Sequence, residues 1–223
     1  MGKGSVTSVS VSVGLATGLY GISFGALSVT AGLDILQTMA LSLVMFSGGS
    51  QFAFVATFAV GGVGALPAAI TSAWLLGIRN GFYAITLAPK LGVLGVTRAL
   101  AAQLTIDESA AVSSSRDIAE EQKKGFWFTG LAVFLFWNLA TLLGGILGNL
   151  ISDPADFGLD AAAAAALFAL VWPRLQTLVG VTVGAVAMVS SVLLSLVLPT
   201  GIPVLVGATL AVLAGLLLDR RKK

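Results

Sequence analysis

Charged residues are so sparse in this chain that they act as punctuation between long apolar runs. A helix crossing about 30 Å of hydrocarbon needs roughly 20 apolar residues. The first run, about 9–33, has no charge and stops at Asp34. A second covers about 36–62, and a third, about 65–89, is interrupted only by Arg79 and closed by Lys90. The fourth, about 126–151, opens with Phe126, Trp127 and Phe128, aromatics suited to a membrane interface. From 161 to 198 the run is too long for one helix and breaks at Trp172-Pro173-Arg174, predicting spans at about 161–176 and 177–198. A last short span follows at about 203–218. The expected fold is therefore an all-α polytopic membrane protein of about seven transmembrane helices, some broken or short, forming one domain over 1–223.

Between the third and fourth runs, about 90–125, the pattern changes. Leu91–Thr105 is apolar around Arg98 and too short to span, so it reads as lying on or dipping into the membrane. Asp107 to Lys124 is densely charged and reads as water-exposed. Thr105 and Glu108 have capping-box spacing and Asp107 is itself a cap residue, so a short helix should start there.

Composition decides the solvent. Apolar residues make up 57% and charged residues 10%, where a soluble domain carries about 25% charge. Mean hydropathy is +1.00. A water-facing surface cannot be covered with so few polar side chains, which excludes a soluble enzyme, a nucleic-acid-binding module and a disordered tail. The chain has no histidine and no cysteine, so the usual general base, thiolate nucleophiles and sulfur-ligated metals are absent. No cofactor and no metal site is expected.

Lys and Arg orient the spans. The basic tail Arg220–Lys223 is read as cytoplasmic, with Lys90, Arg98, Arg116, Lys123 and Lys124 on the same side. The loop holding Asp153, Asp156 and Asp160 then falls outside. Counting seven spans puts the N-terminus outside, with Lys3 as the exception; six spans plus a re-entrant piece is the alternative.

Two polar breaks stand out inside apolar runs. Arg79, in Gly77-Ile78-Arg79-Asn80-Gly81, shares a helical face with Ser72, Tyr83 and Thr86. A cation at mid-span costs about 2.5–3.5 kcal/mol on insertion scales. It reads either as a free guanidinium that meets a substrate carboxylate, or as half of a structural pair with Asp107 or Glu108. Ser47-Gly48-Gly49-Ser50-Gln51 interrupts the second run and can open a helix to expose backbone at mid-membrane; close packing of small residues is the plainer alternative. Gly14, Gly18, Gly21 and Gly25 form a stripe that reads as a packing groove, as do Gly144, Gly145 and Gly148. Asn138 and Thr141 read as interhelical hydrogen bonds. Asp107 and Glu108 could attract an ammonium group or take up a proton, or simply cap a helix.

Taken in order, these pieces resemble the AzlC family, the large subunit of branched-chain amino acid exporters. The resemblance runs from about Gly14 to Asp219. It rests on Gly21-Ile22-Ser23-Phe24-Gly25, Phe46-Ser47-Gly48-Gly49-Ser50-Gln51-Phe52, Arg79-Asn80-Gly81-Phe82-Tyr83-Ala84, Asp107-Glu108-Ser109 and Gly158-Leu159-Asp160. It implies a secondary transporter exporting small apolar amino acids, driven by an ion gradient and working with a small AzlD-type membrane subunit. It gives weight to Arg79, Gln51, Tyr83, Ser47, Gly48, Gly49 and Asn80 as substrate-binding residues, and to Asp107 and Glu108 as coupling or gating residues. Asn80 stands where the family usually has histidine, so a proton relay through that side chain does not apply. Ala161-Ala162 replaces a more usual aromatic.

Rival classes fare worse. An intramembrane enzyme lacks a base within reach of any serine, and a photoreceptor lacks a lysine in Val204–Leu218. A channel would normally show a ring of charges along its pore, and only Arg79 is available. A structural subunit supporting another transport chain is the strongest competitor.

Overall fold

The computed structural model describes residues 5–150, 168, 172, 175–198 and 202–220, and their regular structure is entirely helical. In chain order these are α1 (Val6–Thr30), α2 (Ile35–Val44), α3 (Gly49–Gly61), α4 (Leu66–Leu91) and α5 (Gly95–Gln103). They continue with α6 (Asp107–Ser114), α7 (Ala119–Leu150), α8 (Leu178–Leu194) and α9 (Ile202–Arg220). Three stretches are long and apolar enough to cross a membrane: α1, Gly49–Leu91 and α7. Helices α2, α8 and most of α9 are shorter apolar segments. The span expected at 161–176 lies almost wholly outside the described residues, as does Asp160.

Local chemistry sets the boundaries. Ser5 caps α1 by accepting from the Ser8 amide at 3.2 Å. Asp34 and Gln37 form a capping box at the start of α2: the Gln37 amide donates to Asp34 Oδ1 at 2.7 Å, and the Asp34 amide to Gln37 Oε1 at 3.0 Å. Two orphan amides are thereby satisfied. The residue that ends the first apolar run thus starts the next helix. Gly92 closes α4 in the left-handed region, with φ 63°, a conformation glycine adopts without strain.

The long helices α1 and α7 lie side by side and run parallel. The glycine stripe lets them meet: Gly14 faces Ala132, Gly18 faces Phe136, Gly21 faces the Trp137 carbonyl, and Gly25 faces the Thr141 carbonyl. A Cβ on Gly21 would sit 2.6 Å from that oxygen, and one on Gly25 would overlap its neighbour. From the other side, Gly144 abuts the Ile22 backbone and Gly148 the Ala26 backbone. A buried hydroxyl pair adds to the contact, Thr129 donating to Ser10 at 2.9 Å, and α2 is tied to both helices, with Thr38 donating to Ser28 at 2.8 Å and Ser42 to Thr141 at 3.3 Å. Interhelical hydrogen bonds in membranes average only about 0.6 kcal/mol. Close backbone packing is therefore the larger contribution. Asn138 instead donates to the Phe134 carbonyl of its own helix at 2.7 Å, a correction to its reading as an interhelical link. The opposite face of α7, from Leu131 through Leu135 and Leu139 to Ile146, is exposed and apolar, as a lipid-facing stripe must be; Asn149 is exposed on that face at the end of the helix.

The second apolar run is not one span. Helix α2 runs against α7: Ile35 lies by Gly145, Ser42 by Thr141 and Phe46 by Phe134. The chain then reverses at Met45–Gly48. Gln51 on α3 reaches back to the Leu41 carbonyl at 3.1 Å, and the Phe52 ring meets Phe24 at 5.8 Å. At about 1.5 Å per residue, the 10 residues of α2 and 13 of α3 reach only about half and about two-thirds of the way through 30 Å of hydrocarbon. A tight turn at Gly62–Ala65 returns the chain as α4, which packs antiparallel to α3, with Gly77 by Ser50 and Leu76 by Gly49.

The second half repeats this plan inverted. Helix α5 folds back along the end of α4, the two enclosing a groove between Ala84–Leu91 and Arg98–Thr105. After Leu104–Ile106, α6 turns away again with Leu104 on Gly130 and Val112 on Gly125 of α7. A long helix followed by a half-length hairpin thus occurs twice, as α1–α2–α3 and α4–α5–α6, in opposite directions. The expectation of a wet segment over Asp107–Lys124 is corrected only for α6 itself; most residues from Ser114 to Lys124 are exposed. Ser109 and Ser113 are fully buried, because these small side chains let α6 settle against Gly125 of α7.

The last two described helices form an antiparallel pair, with Gly207 against Ala187 and Ser191, and Gly215 near Val183.

Replacing Gly25 or Gly144 by valine should wedge α1 and α7 apart and abolish recovery of monodisperse protein from the membrane. Gly81→Ala, where a Cβ would meet nothing within 4 Å, should leave the size-exclusion profile unchanged.

Candidate functional site

The two hairpin tips meet where the three long helices pass their midpoints. At the first tip Gly48 has φ 48° and ψ −83°, a backbone that any side chain would strain by about 1–3 kcal/mol. The reversal exposes the last carbonyls of α2 and the first amides of α3. Gln103, the last residue of α5, satisfies part of this need: its Nε2 donates to the Leu43 carbonyl at 2.8 Å and the Val44 carbonyl at 3.3 Å. One tip therefore caps the other.

At the second tip the structure corrects the expected cap. Neither Thr105 with Glu108 nor Asp107 caps α6; Ile106 is the N-cap residue. Its amide donates to Ser109 Oγ at 3.1 Å, while that hydroxyl donates to the Leu104 carbonyl at 2.7 Å. Thr105 is occupied by the Ala101 carbonyl at 2.7 Å. With the cap supplied by Ser109, both carboxylates are free to turn outward from the first turn of α6. Negative charge is favoured there by the helix dipole.

Arg79 is not a free cation. Its Nη2 lies 2.8 Å from Asp107 Oδ2, and Tyr83 Oη donates to Asp107 Oδ1 at 2.8 Å. Tyr83 is one turn from Arg79 on α4, so a single helix face supplies both contacts. The pair remains reachable, with the Arg79 side chain 34% and the Asp107 side chain 42% exposed. Gly49 permits the geometry: a Cβ there would come within 3.0 Å of Arg79 Nη2. Arg79 Nε has no hydrogen-bond partner among the described residues.

Beside the ion pair is a cavity of about 170 Å³. Pockets for drug-sized ligands run about 300–1,000 Å³, so this one suits a molecule of only a few heavy atoms beyond its head group. Its polar side is Arg79, Asp107, Glu108, Ser47 and Thr17; its apolar side is Phe46, Phe52, Val133 and Trp137. The aromatic wall is rigid: Trp137 stacks on Phe24 at 6.0 Å and meets Phe52 edge-on at 6.2 Å. Glu108 also faces this cavity, beside Asp107 on the first turn of α6.

Of the residues singled out in the sequence, Arg79, Ser47, Gly48, Gly49, Asp107 and Glu108 line this cavity. Tyr83 acts one step behind, through Asp107. Asn80 is also behind the wall: its Nδ2 donates to Ser47 Oγ at 3.1 Å, and that oxygen lies 3.0 Å from Ser50 Oγ. Gln51 is fully buried and spent on Leu41; it is a brace between the arms of the first hairpin and is not brought to the cavity. Thr17, Tyr20, Val133 and Trp137 were missed. Only the position of Thr17 and Tyr20, one turn apart within the glycine stripe of α1, hinted at them.

Helices enclosing a central charged cavity, with apolar stretches long enough to span a bilayer, define a polytopic membrane protein with a site between broken helices. The family described as AzlC protein matches residues 12–151, which is α1 through α7 and nearly two-thirds of the chain. The chain belongs to the AzlC family, a family of membrane transporters. The match is narrower than the resemblance expected to reach Asp219. No curated protein and no solved structure matches the chain.

Proposed function

We propose that this chain is a secondary transporter that exports branched-chain or other small apolar amino acids across the cytoplasmic membrane. An ion gradient drives it, and a small AzlD-type membrane subunit completes it. The observation that carries this reading is the ion pair of Arg79 with Asp107 on the wall of a small cavity between two broken helical hairpins. Arg79 is already held by a carboxylate through Nη2, and its Nε has no partner among the described residues, so its fork can still take a carboxylate. A substrate carboxylate can replace Asp107 on the guanidinium, and the displaced Asp107 then faces the substrate ammonium. One charge pair becomes two, so the zwitterion enters without leaving a bare charge in low dielectric.

The remaining residues take supporting roles. Backbone opened at Ser47, Gly48 and Gly49 orients the head group, Asn80 fixes Ser47, and Tyr83 steers Asp107. Gln51 acts at a distance by holding the hairpin closed. Phe46, Phe52, Val133 and Trp137 receive the side chain. An apolar wall discriminates by only about 1–3 kcal/mol per methylene, so Leu, Ile, Val and Met should all be accepted. Oppositely directed repeats around a midpoint site supply a route to alternating access, one unit rocking against the other.

The hairpins also alter the expected orientation. If both are re-entrant, the start of α1 lies on the same side as Lys90–Lys124, and the N-terminal side becomes cytoplasmic. Lys3 then ceases to be an exception to the distribution of basic residues. The acidic loop stays outside, and the Arg220–Lys223 tail stays cytoplasmic.

Arg79→Ala should reduce leucine counterflow in proteoliposomes to background while the protein still inserts and stays monodisperse. Arg79→Lys should also lose most activity, because an ammonium cannot make the bidentate contact. Undiminished counterflow in either variant would defeat the assignment. Leucine binding to the purified chain, measured calorimetrically, separates a transporter from a structural subunit.

A further inference from the structure

We infer that the groove between α4 and α5 binds one anionic phospholipid, its phosphate on Arg98 and one acyl chain lying along the groove. This goes beyond the transporter reading and does not depend on it. The groove holds about 460 Å³, within the range of about 300–1,000 Å³ that small-molecule sites occupy. Its sides are apolar, with Ile85, Ala88 and Leu91 from α4 and Ala101 and Ala102 from α5. At the deep end the Thr105 hydroxyl is already spent on the Ala101 carbonyl at 2.7 Å, so that end suits hydrocarbon. At the other end is Arg98, the only charged residue of the lining.

Charge and length select the occupant. From Ile35 to Ile106 the sequence has three basic residues, Arg79, Lys90 and Arg98, and no Asp or Glu. Asp107 matches Arg79, and none of the ion pairs among the described residues includes Lys90 or Arg98. These two flank the turn that joins α4 to α5, where long basic side chains keep their heads at the membrane interface. A zwitterionic head group brings its own ammonium and leaves both cations unmatched; an anionic one does not. Basic pockets between membrane helices are where acidic head groups bind. The nine residues of α5 measure about 14 Å at 1.5 Å each, close to half of the roughly 30 Å hydrocarbon. A groove of that depth headed by a cation has the proportions of one lipid in one leaflet. It opens to the bilayer, since Ile85, Leu94, Val96 and Leu100 around it are exposed.

The internal repeat gives the lipid a task. In the first hairpin α2 has protein beside it, with Ser42 on Thr141 and Phe46 on Phe134 of α7. Its counterpart α5 has Ala101 as its one buried residue. An acyl chain along α5 supplies the packing that α7 gives to α2. Helix α5 ends in Gln103, which holds the Leu43 and Val44 carbonyls, so the lipid braces the contact between the two hairpin tips.

The test is lipid retention by the full chain, solubilised from membranes of phosphatidylglycerol and phosphatidylcholine in equal amounts and counted by native mass spectrometry. Wild type should keep one phosphatidylglycerol per chain in preference to phosphatidylcholine. Arg98→Gln should cut that preference about fivefold, the effect of one cation near an anionic head group. Ala88→Phe fills the groove without changing its charge and should lower phosphatidylglycerol retention; this variant carries the test if Arg98→Gln does not fold. A phosphatidylglycerol with a photoreactive acyl chain should mark residues 84–91 and 98–105. Equal retention of the two lipids, retention unchanged in both variants, or cross-links confined to other segments would each overturn the inference. So would a groove found covered by a second copy of the chain or by another membrane protein. Lipid retention is read without transport, so its failure leaves the transporter reading standing, and loss of leucine counterflow leaves this inference standing.

Discussion

In hydrocarbon no backbone amide or carbonyl can be left without a partner, because each costs several kcal/mol. The architecture of this chain follows from that constraint. It interrupts its helices twice, at Met45–Gly48 and at Leu104–Ile106, and each interruption frees polar backbone. Both sit between α1, α4 and α7, away from the apolar faces that those helices turn outward. The freed groups are then satisfied by side chains: Gln103 of the second hairpin covers the end of α2, and Ser109 within the second hairpin covers both the start of α6 and the Leu104 carbonyl. Close approach of α1 to α7 through glycine makes the enclosure tight enough to serve.

The same enclosure explains why charges can be kept there. Arg79, Asp107 and Glu108 come from two helices distant in sequence, yet all face one small cavity. An ion pair with Tyr83 on its second oxygen is stable enough to persist and accessible enough to exchange. In the proposed cycle it is this intermediate status that matters. A fully buried pair would hold Arg79 permanently, and a fully solvated one would be too weak to select a carboxylate.

Much of the site was visible as polar punctuation. Arg79, Ser47, Gly48, Gly49, Asp107 and Glu108 each break an apolar pattern, and breaks are what hydropathy reveals. Trp137 and Val133 break nothing; they are ordinary residues of a lipid-soluble helix until neighbours make them a wall. Gln51 misled for the opposite reason. Its side chain is polar and lies within the motif, but a helix turns 100° per residue, and that rotation carries it to the back of the hairpin. The second apolar run misled because hydropathy measures length in lipid and is blind to direction. One crossing and two half-crossings have the same composition.

Composition alone determined the solvent, and the solvent determined helices, since a chain in lipid must satisfy its own backbone or close into a barrel. The glycine stripe likewise prescribed a close helix partner without naming it. Tertiary structure decided the rest: that α7 is that partner, that the chain doubles back at Gly48, and that Asp107 holds Arg79 while Glu108 is left over. These depend on contacts between residues tens of positions apart, and the energy of such contacts exists only once the backbone has brought them together.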